Sequence, residues 1–296
     1  MVYDGLEMGQ LFALTTALIW ALAVILLKRS GETVSPFALN LFRVVVSTCL
    51  LLPTVALAGQ AGWHGSSRDI LILFASGIIA IATSDTLFHM SLNAVGAGIS
   101  AIIDCLYAPL TVLLATVLLG ERLSALQLLG MALVLSGVLA AAQHDPPHGV
   151  ARRQIVLGVI WGILAMIALA LGIVIAKPVL NHSPVLWATA VRQIGCLCVM
   201  VPGALLSPRR REFLRVFKPS RSWRFSLPGA LLGSYLALIF WIAGMKYTNV
   251  GIAAILNQSS TIYVLILASV FLKERLTRRK LVASAVAIAG IVLVML

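Results

Sequence analysis

Apolar stretches of about twenty residues recur along the whole chain, at 10–27, 36–58, 69–91, 97–119, 124–143, 154–176, 184–206, 226–247, 251–272 and 281–296. At a helical rise of 1.5 Å per residue, such a stretch crosses a hydrocarbon core of roughly 30 Å. A surface helix of a soluble protein shows a polar face at a period of 3.6 residues. The segment 281–296 shows almost none. The pattern predicts an all-α integral membrane protein of ten transmembrane helices. Composition agrees: 60% of the 296 residues are hydrophobic and 11% charged, against about a quarter charged in soluble chains.

The chain repeats itself. An offset of 149 residues brings Gly9, Lys28, Arg43, Cys49 and Pro53 onto Gly158, Lys177, Arg192, Cys198 and Pro202. An offset of 153 brings Gly98, Ala101, Glu121-Arg122-Leu123 and Gly137 onto Gly251, Ala254, Glu274-Arg275-Leu276 and Gly290. The predicted organisation is two five-helix repeats, 10–143 and 155–296, joined by a linker at 144–154. An odd number of spans per unit forces the second unit to enter the membrane upside down. That is the inverted-repeat plan of many transporters, with the substrate site near the midplane.

Loop charge bears on the inversion. Loop 2–3 has Arg68, and its partner loop 7–8 has Arg209, Arg210, Arg211, Arg215, Lys218, Arg221 and Arg224. One set of alternate loops carries 16 basic residues and the other side four. The positive-inside rule then places both termini outside the cytoplasm. The net charge of +12 therefore reads as orientation and lipid-headgroup contact, and no nucleic-acid surface is expected. Cys49, Cys105, Cys196 and Cys198 all fall in predicted spans without metal or redox spacing. No disulfide, metal or cofactor is expected.

Ionisable groups at membrane depth are expensive and mark candidate sites. Ser100, Asp104, Tyr107 and Thr111, spaced 4, 3 and 4, share one face of a helix with Asp104 near its middle. The repeat partner of Asp104 is Asn257, in the run Asn257-Gln-Ser-Ser-Thr261 that includes Ser260. Asp85 and His89 are four apart and suit a proton relay. Arg43 and Arg192 suit a substrate carboxylate or phosphate, or snorkel to the interface or pair with helix ends. Trp20, Trp161 and Trp241 offer aromatic walls or plain interhelix filling. Lys28, Lys177 and Lys246, at span ends, read as interface anchors.

The segment Asn93-Ala-Val-Gly-Ala-Gly-Ile-Ser-Ala-Ile-Ile, with Pro109, Leu119-Gly-Glu-Arg-Leu123, Gly130 and Gly137, resembles the EamA family of the drug/metabolite transporter superfamily. Asn249-Val-Gly-Ile-Ala-Ala-Ile-Leu with Lys273-Glu-Arg-Leu276 and Gly290 looks like the second EamA repeat. Arg43 and Arg192 match the arginine that this family often carries in the second helix of each repeat. The resemblance implies a ten-helix metabolite transporter, often an exporter. The second copy has Ile262 where the first has Pro109, so a helix break is expected in the first half alone. Family habit, with both termini cytoplasmic, also opposes the charge count.

The expected function is a secondary transporter of a small polar metabolite, an amino acid or similar compound, working by alternating access and most simply as an exporter. Protons are candidate coupling partners. No Walker-type phosphate loop is present, and no enzymatic activity is expected. The alternative is a membrane-embedded enzyme or transporter acting on lipid-linked or nucleotide-sugar substrates, for which His144, Asp145 and His148 of the linker are the remaining groups. The expected setting is a cell membrane, of the bacterial inner-membrane type, with the chain as monomer or homodimer.

Overall fold

The computed structural model describes residues 2–141, 152–260, 262–263 and 278–295. The described residues are helical throughout apart from short connections, with no strand among them. In chain order the helices are α1 (Val2–Gly31), α2 (Pro36–Leu57), α3 (Ser67–Gly77), the π-helical segment π1 (Ile78–Thr83), α4 (Ser84–Asp104), α5 (Tyr107–Leu119) and α6 (Ala125–Ala141). There follow α7 (Arg152–His182), α8 (Val185–Leu206), the short α9 (Arg210–Arg215), α10 (Trp223–Ala230), π2 (Leu231–Leu236), α11 (Ala237–Tyr247), α12 (Val250–Asn257) and α13 (Arg278–Met295).

Six described helical stretches are long and apolar enough to span a bilayer: Met8–Gly31, Pro36–Leu57, Ser67–Val95, Arg152–His182, Val185–Leu206 and Trp223–Tyr247. Tyr107–Leu119, Ala125–Gly137 and Ala285–Met295 are shorter apolar helices. Large apolar side chains face outward on these elements, Leu57 at 90% and Leu206 at 85% exposure. Apolar exposure on that scale suits a hydrocarbon solvent rather than water. The chain is a multi-pass membrane protein.

Local chemistry explains where several helices begin. Pro36 opens α2 at its first positions, where its missing N–H costs nothing. A reciprocal capping box, Ser66 with Asp69, starts α3. The expected boundary between the third and fourth spans lies inside α4, whose backbone stays helical through residues 92–96. The path of α4 nevertheless departs from a straight helix between Ser91 and Ile103. A Cβ on Gly162 would stand 2.7 Å from Ser91 Oγ and 2.9 Å from Ile103 Cγ2. Twelve residues of straight helix would hold those two positions about 18 Å apart.

Two corrections to the sequence reading concern helix breaks. Asp104 is not mid-helix but the last residue of α4, followed by a turn at Cys105-Leu106. The break is also not confined to the first half: α12 ends at Asn257 and a turn follows at Gln258-Ser259. The turn bonds match at an offset of 153 residues. Leu106 N–H donates to Ile103 O at 2.9 Å, and Ser259 N–H to Leu256 O at 3.1 Å. Pro109 lies within the first turn of α5, where no intrahelical N–H is needed. It is compatible with the break without being required for it, which is why Ile262 serves in the second copy.

The π-helical segments follow the same offset, 78–83 and 231–236. In each, the fourth carbonyl takes a side-chain amide from the preceding span of its own half. Asn40 Nδ2 donates to Ile81 O at 2.9 Å, and Gln193 Nε2 to Ser234 O at 2.9 Å. Small residues allow the closest helix contacts. Gly158 lies against Ala94 and Val95, and Gly130 of α6 meets the backbone of Gly290 on α13.

Candidate binding cavity

A cavity of about 120 Å³ lies at the centre of the helices, on the order of ten times the space that one water needs. Of the residues singled out in the sequence, Asp104, Tyr107, Asn257, Ser260, Asp85, Arg43, Trp20 and Trp241 line it. His89, Ser100, Thr111, Arg192 and Trp161 do not. The helix break explains part of that division: the face expected to carry Ser100, Asp104, Tyr107 and Thr111 is interrupted at 105–106. Ser100 and Thr111 are buried instead, away from the cavity wall. Trp161 packs against the main apolar core. Thr261, Glu274, Arg275 and the linker residues His144, Asp145 and His148 lie outside the described residues.

Arg43 is a hub. It is 2% exposed. Its Nε donates to Ser234 Oγ at 2.9 Å, and its Nη1 lies 2.6 Å from His89 Nε2. Its Nη2 lies 3.6 Å from Asp85 Oδ2, and its guanidinium stands 5.5 Å from the centroid of the Trp20 ring. The snorkelling alternative is therefore wrong for Arg43, whose charge is balanced inside the protein. Arg192, its repeat mate, is 0% exposed and reaches the opposite half in the same way, with Nε donating to Ser76 Oγ at 2.9 Å and the guanidinium 5.4 Å from Trp241.

Asp104 differs from Asp85. Among the described residues its carboxylate has no ion pair within 4 Å and no hydrogen bond, although its main-chain carbonyl accepts from Gln258 Nε2 at 2.8 Å. Gln258 thus ties the two helix breaks together at the cavity wall. Gln193 is a second polar wall residue, holding Ser47 Oγ at 2.7 Å and Thr48 Oγ1 at 2.9 Å. The sequence reading missed Gln193, Gln258 and Ser234 as site residues. The available signal was an uncharged amide or hydroxyl inside an apolar span, which interhelical packing also uses.

Away from the cavity, Lys177 is buried and donates to the carbonyls of Met245, Lys246 (3.2 Å) and Thr248 (2.8 Å). It binds the end of α11 rather than anchoring at the headgroups, a correction to its expected role. Glu121, from the Gly-Glu-Arg-Leu turn, accepts from the backbone N–H groups of Val250 at 3.2 Å and Gly251 at 3.3 Å. It caps α12 from the other half of the chain.

A bundle of apolar helices, two of them broken beside an interior cavity with a few polar groups on an apolar wall, is the build of a polytopic transport protein. The chain belongs to the EamA-like transporter family, which it matches over residues 7–142 and 156–296, and this family is part of the drug/metabolite transporter superfamily. It is 26% identical over 286 residues to an uncharacterized transporter of Archaeoglobus fulgidus, covering 97% of each chain. A second uncharacterized transporter of that organism is 26% identical over 187 residues, 63% of each chain. A protein of known crystal structure has the same fold, with a TM-score of 0.76 at 20% identity over 97% of this chain and 98% of its own.

Proposed function

We propose that the protein is a secondary transporter that exports a small polar metabolite of the amino-acid kind by alternating access. The observation that carries this reading is the carboxylate of Asp104, unpaired among the described residues and held at a helix break on the wall of a central cavity that Trp20 and Trp241 also line. A carboxylate without a protein partner, in a cavity where Arg43 is already balanced, suits an ammonium group or an exchangeable proton. Cation–π attraction to the indole rings adds to it.

The proposed architecture is ten spans in two inverted units, 10–143 and 155–296. The matched helix breaks, the matched π-helical segments and the reciprocal pairs Arg43–Ser234 and Arg192–Ser76 support it. So does the 16-to-4 division of basic residues between alternate loops, which favours termini outside the cytoplasm.

The test is counterflow of labelled amino acids in proteoliposomes, with and without a pH gradient. Asp104→Asn is expected to keep the fold, because Asn257 occupies the matching position, and to lose transport or its pH dependence. Wild-type transport by Asp104→Asn across the pH range would refute the assignment.

A further inference from the structure

The two repeat-related arginines differ in one respect. Arg43 places all three guanidinium nitrogens on protein partners: Ser234, His89 and Asp85. Arg192 places only Nε, on Ser76. Its Nη1 and Nη2 are fully buried, and among the described residues they have no hydrogen-bond partner and no carboxylate within ion-pair distance. A buried charged donor left unpaired is among the most costly polar arrangements in a protein interior.

The surroundings of Arg192 are rich in donors. Tyr107 Oη and Thr111 Oγ1 are buried within reach of each other, and Tyr107 also faces the guanidinium of Arg192. Tyr107 and Trp241 both line the cavity, and so does Gln193, the residue next to Arg192. The guanidinium sits against Trp241, so it lies just behind the cavity wall, screened by two side chains that rotamer changes can move. Two parallel N–H groups with a nearby hydroxyl match a planar group with two acceptor oxygens, and a carboxylate meets a guanidinium fork bidentately.

We propose that Arg192, with Tyr107, forms an anion subsite that receives the carboxylate of the carried molecule. The subsite rests on the amino-acid reading above, in which Asp104 meets the amino group. It makes the substrate a zwitterion read at both ends, and it gives the two repeat-related arginines different tasks: Arg43 holds the fold together and Arg192 holds the cargo. Carboxylate binding draws the guanidinium off the Trp241 ring.

The experiment uses the purified full chain in detergent, with thermal shift and Trp fluorescence as readouts. The probes are alanine, leucine and phenylalanine, each beside its decarboxylated amine: ethylamine, isopentylamine and phenethylamine. At least one amino acid is expected to bind about tenfold or more tightly than its amine, as a charge-assisted bidentate contact requires. Arg192→Lys keeps the charge but not the fork, and its ligand-free melting temperature shows whether the fold stands. It should bring that ratio close to one, as should Arg192→Gln. Equal binding of each amino acid and its amine by the wild type overturns the subsite while leaving the Asp104 reading in place. So does a ratio unchanged in a folded Arg192→Lys. No response to either member of any pair overturns the amino-acid reading and the subsite with it.

Discussion

The Nη1 of Arg43 lies 2.6 Å from Nε2 of His89, and because a guanidinium only donates, the imidazole accepts there and carries its proton on Nδ1. Asp85 and His89, four residues apart on α4, therefore meet through Arg43, with Asp85 at 3.6 Å on its other nitrogen. Arg43→Ala should strand a half-buried carboxylate on the cavity wall and cost about 1–3 kcal/mol, read by denaturation in detergent micelles. Arg43→Ala combined with Asp85→Asn should recover part of that loss, because the stranded charge is gone. Strict additivity of the two substitutions would mean that the pair is not coupled.

Glu121 offers a test of contact between the halves. It caps the first turn of α12 through Val250 and Gly251, where both a hydrogen-bond acceptor and a negative charge are favourable. Glu121→Ala is expected to cost about 1 kcal/mol and to speed hydrogen exchange at those two amides. Glu121→Gln should fall between, since it keeps an acceptor and loses the charge. Unchanged protection at Val250 and Gly251 in Glu121→Ala would show that the cap is not operative.

Gly77 has the closest neighbour among the described glycines. A Cβ there would sit 1.9 Å from the main-chain oxygen of Arg192, and a backbone atom cannot swing aside as a side chain can. Gly77→Ala should abolish the monodisperse peak in size-exclusion chromatography. Gly62→Ala, where no atom lies within 4 Å of the added methyl, is the matched control and should elute as wild type.

Orientation is testable with cysteine labelling. Cys49 and Cys198 are exposed, whereas Cys105 and Cys196 are buried, so replacing the first two gives a quiet background. Ser220→Cys, amid the seven basic residues of loop 7–8, should react with impermeant maleimide only from the cytoplasmic side. Labelling from outside in intact cells would reverse the orientation.

Much of the bundle is legible in the sequence because spans are written in hydropathy. So is part of the site: Asp104 and Arg43 are costly at membrane depth, and both line the cavity. The breaks are not legible, because Pro109 lies in the first turn of α5 and not at the turn itself. The chain turns at 105–106 and 258–259 with ordinary residues, and only three-dimensional pairing, such as Gln258 to the Asp104 carbonyl, satisfies the groups a break frees. The bound state of Arg43 was hidden for a related reason. Its partners Ser234, Asp85 and His89 come from two distant stretches of chain, and no local pattern ties them to it.

The π-helical segments 78–83 and 231–236 have a consequence for how each helix is phased. A π turn takes in one residue more than an α turn, so the side chains beyond it are rotated by about 100° relative to an unbroken α-helix. Asp85 and Phe88 lie beyond π1, and Leu238 and Trp241 lie beyond π2, and all four line the cavity. On each helix the stretch that packs against neighbours and the stretch that faces the cavity are thus set to different angular registers. The extra residue acts as a spacer of angle rather than of length, so the number of residues between 78 and 83 matters to the cavity as much as their identity does.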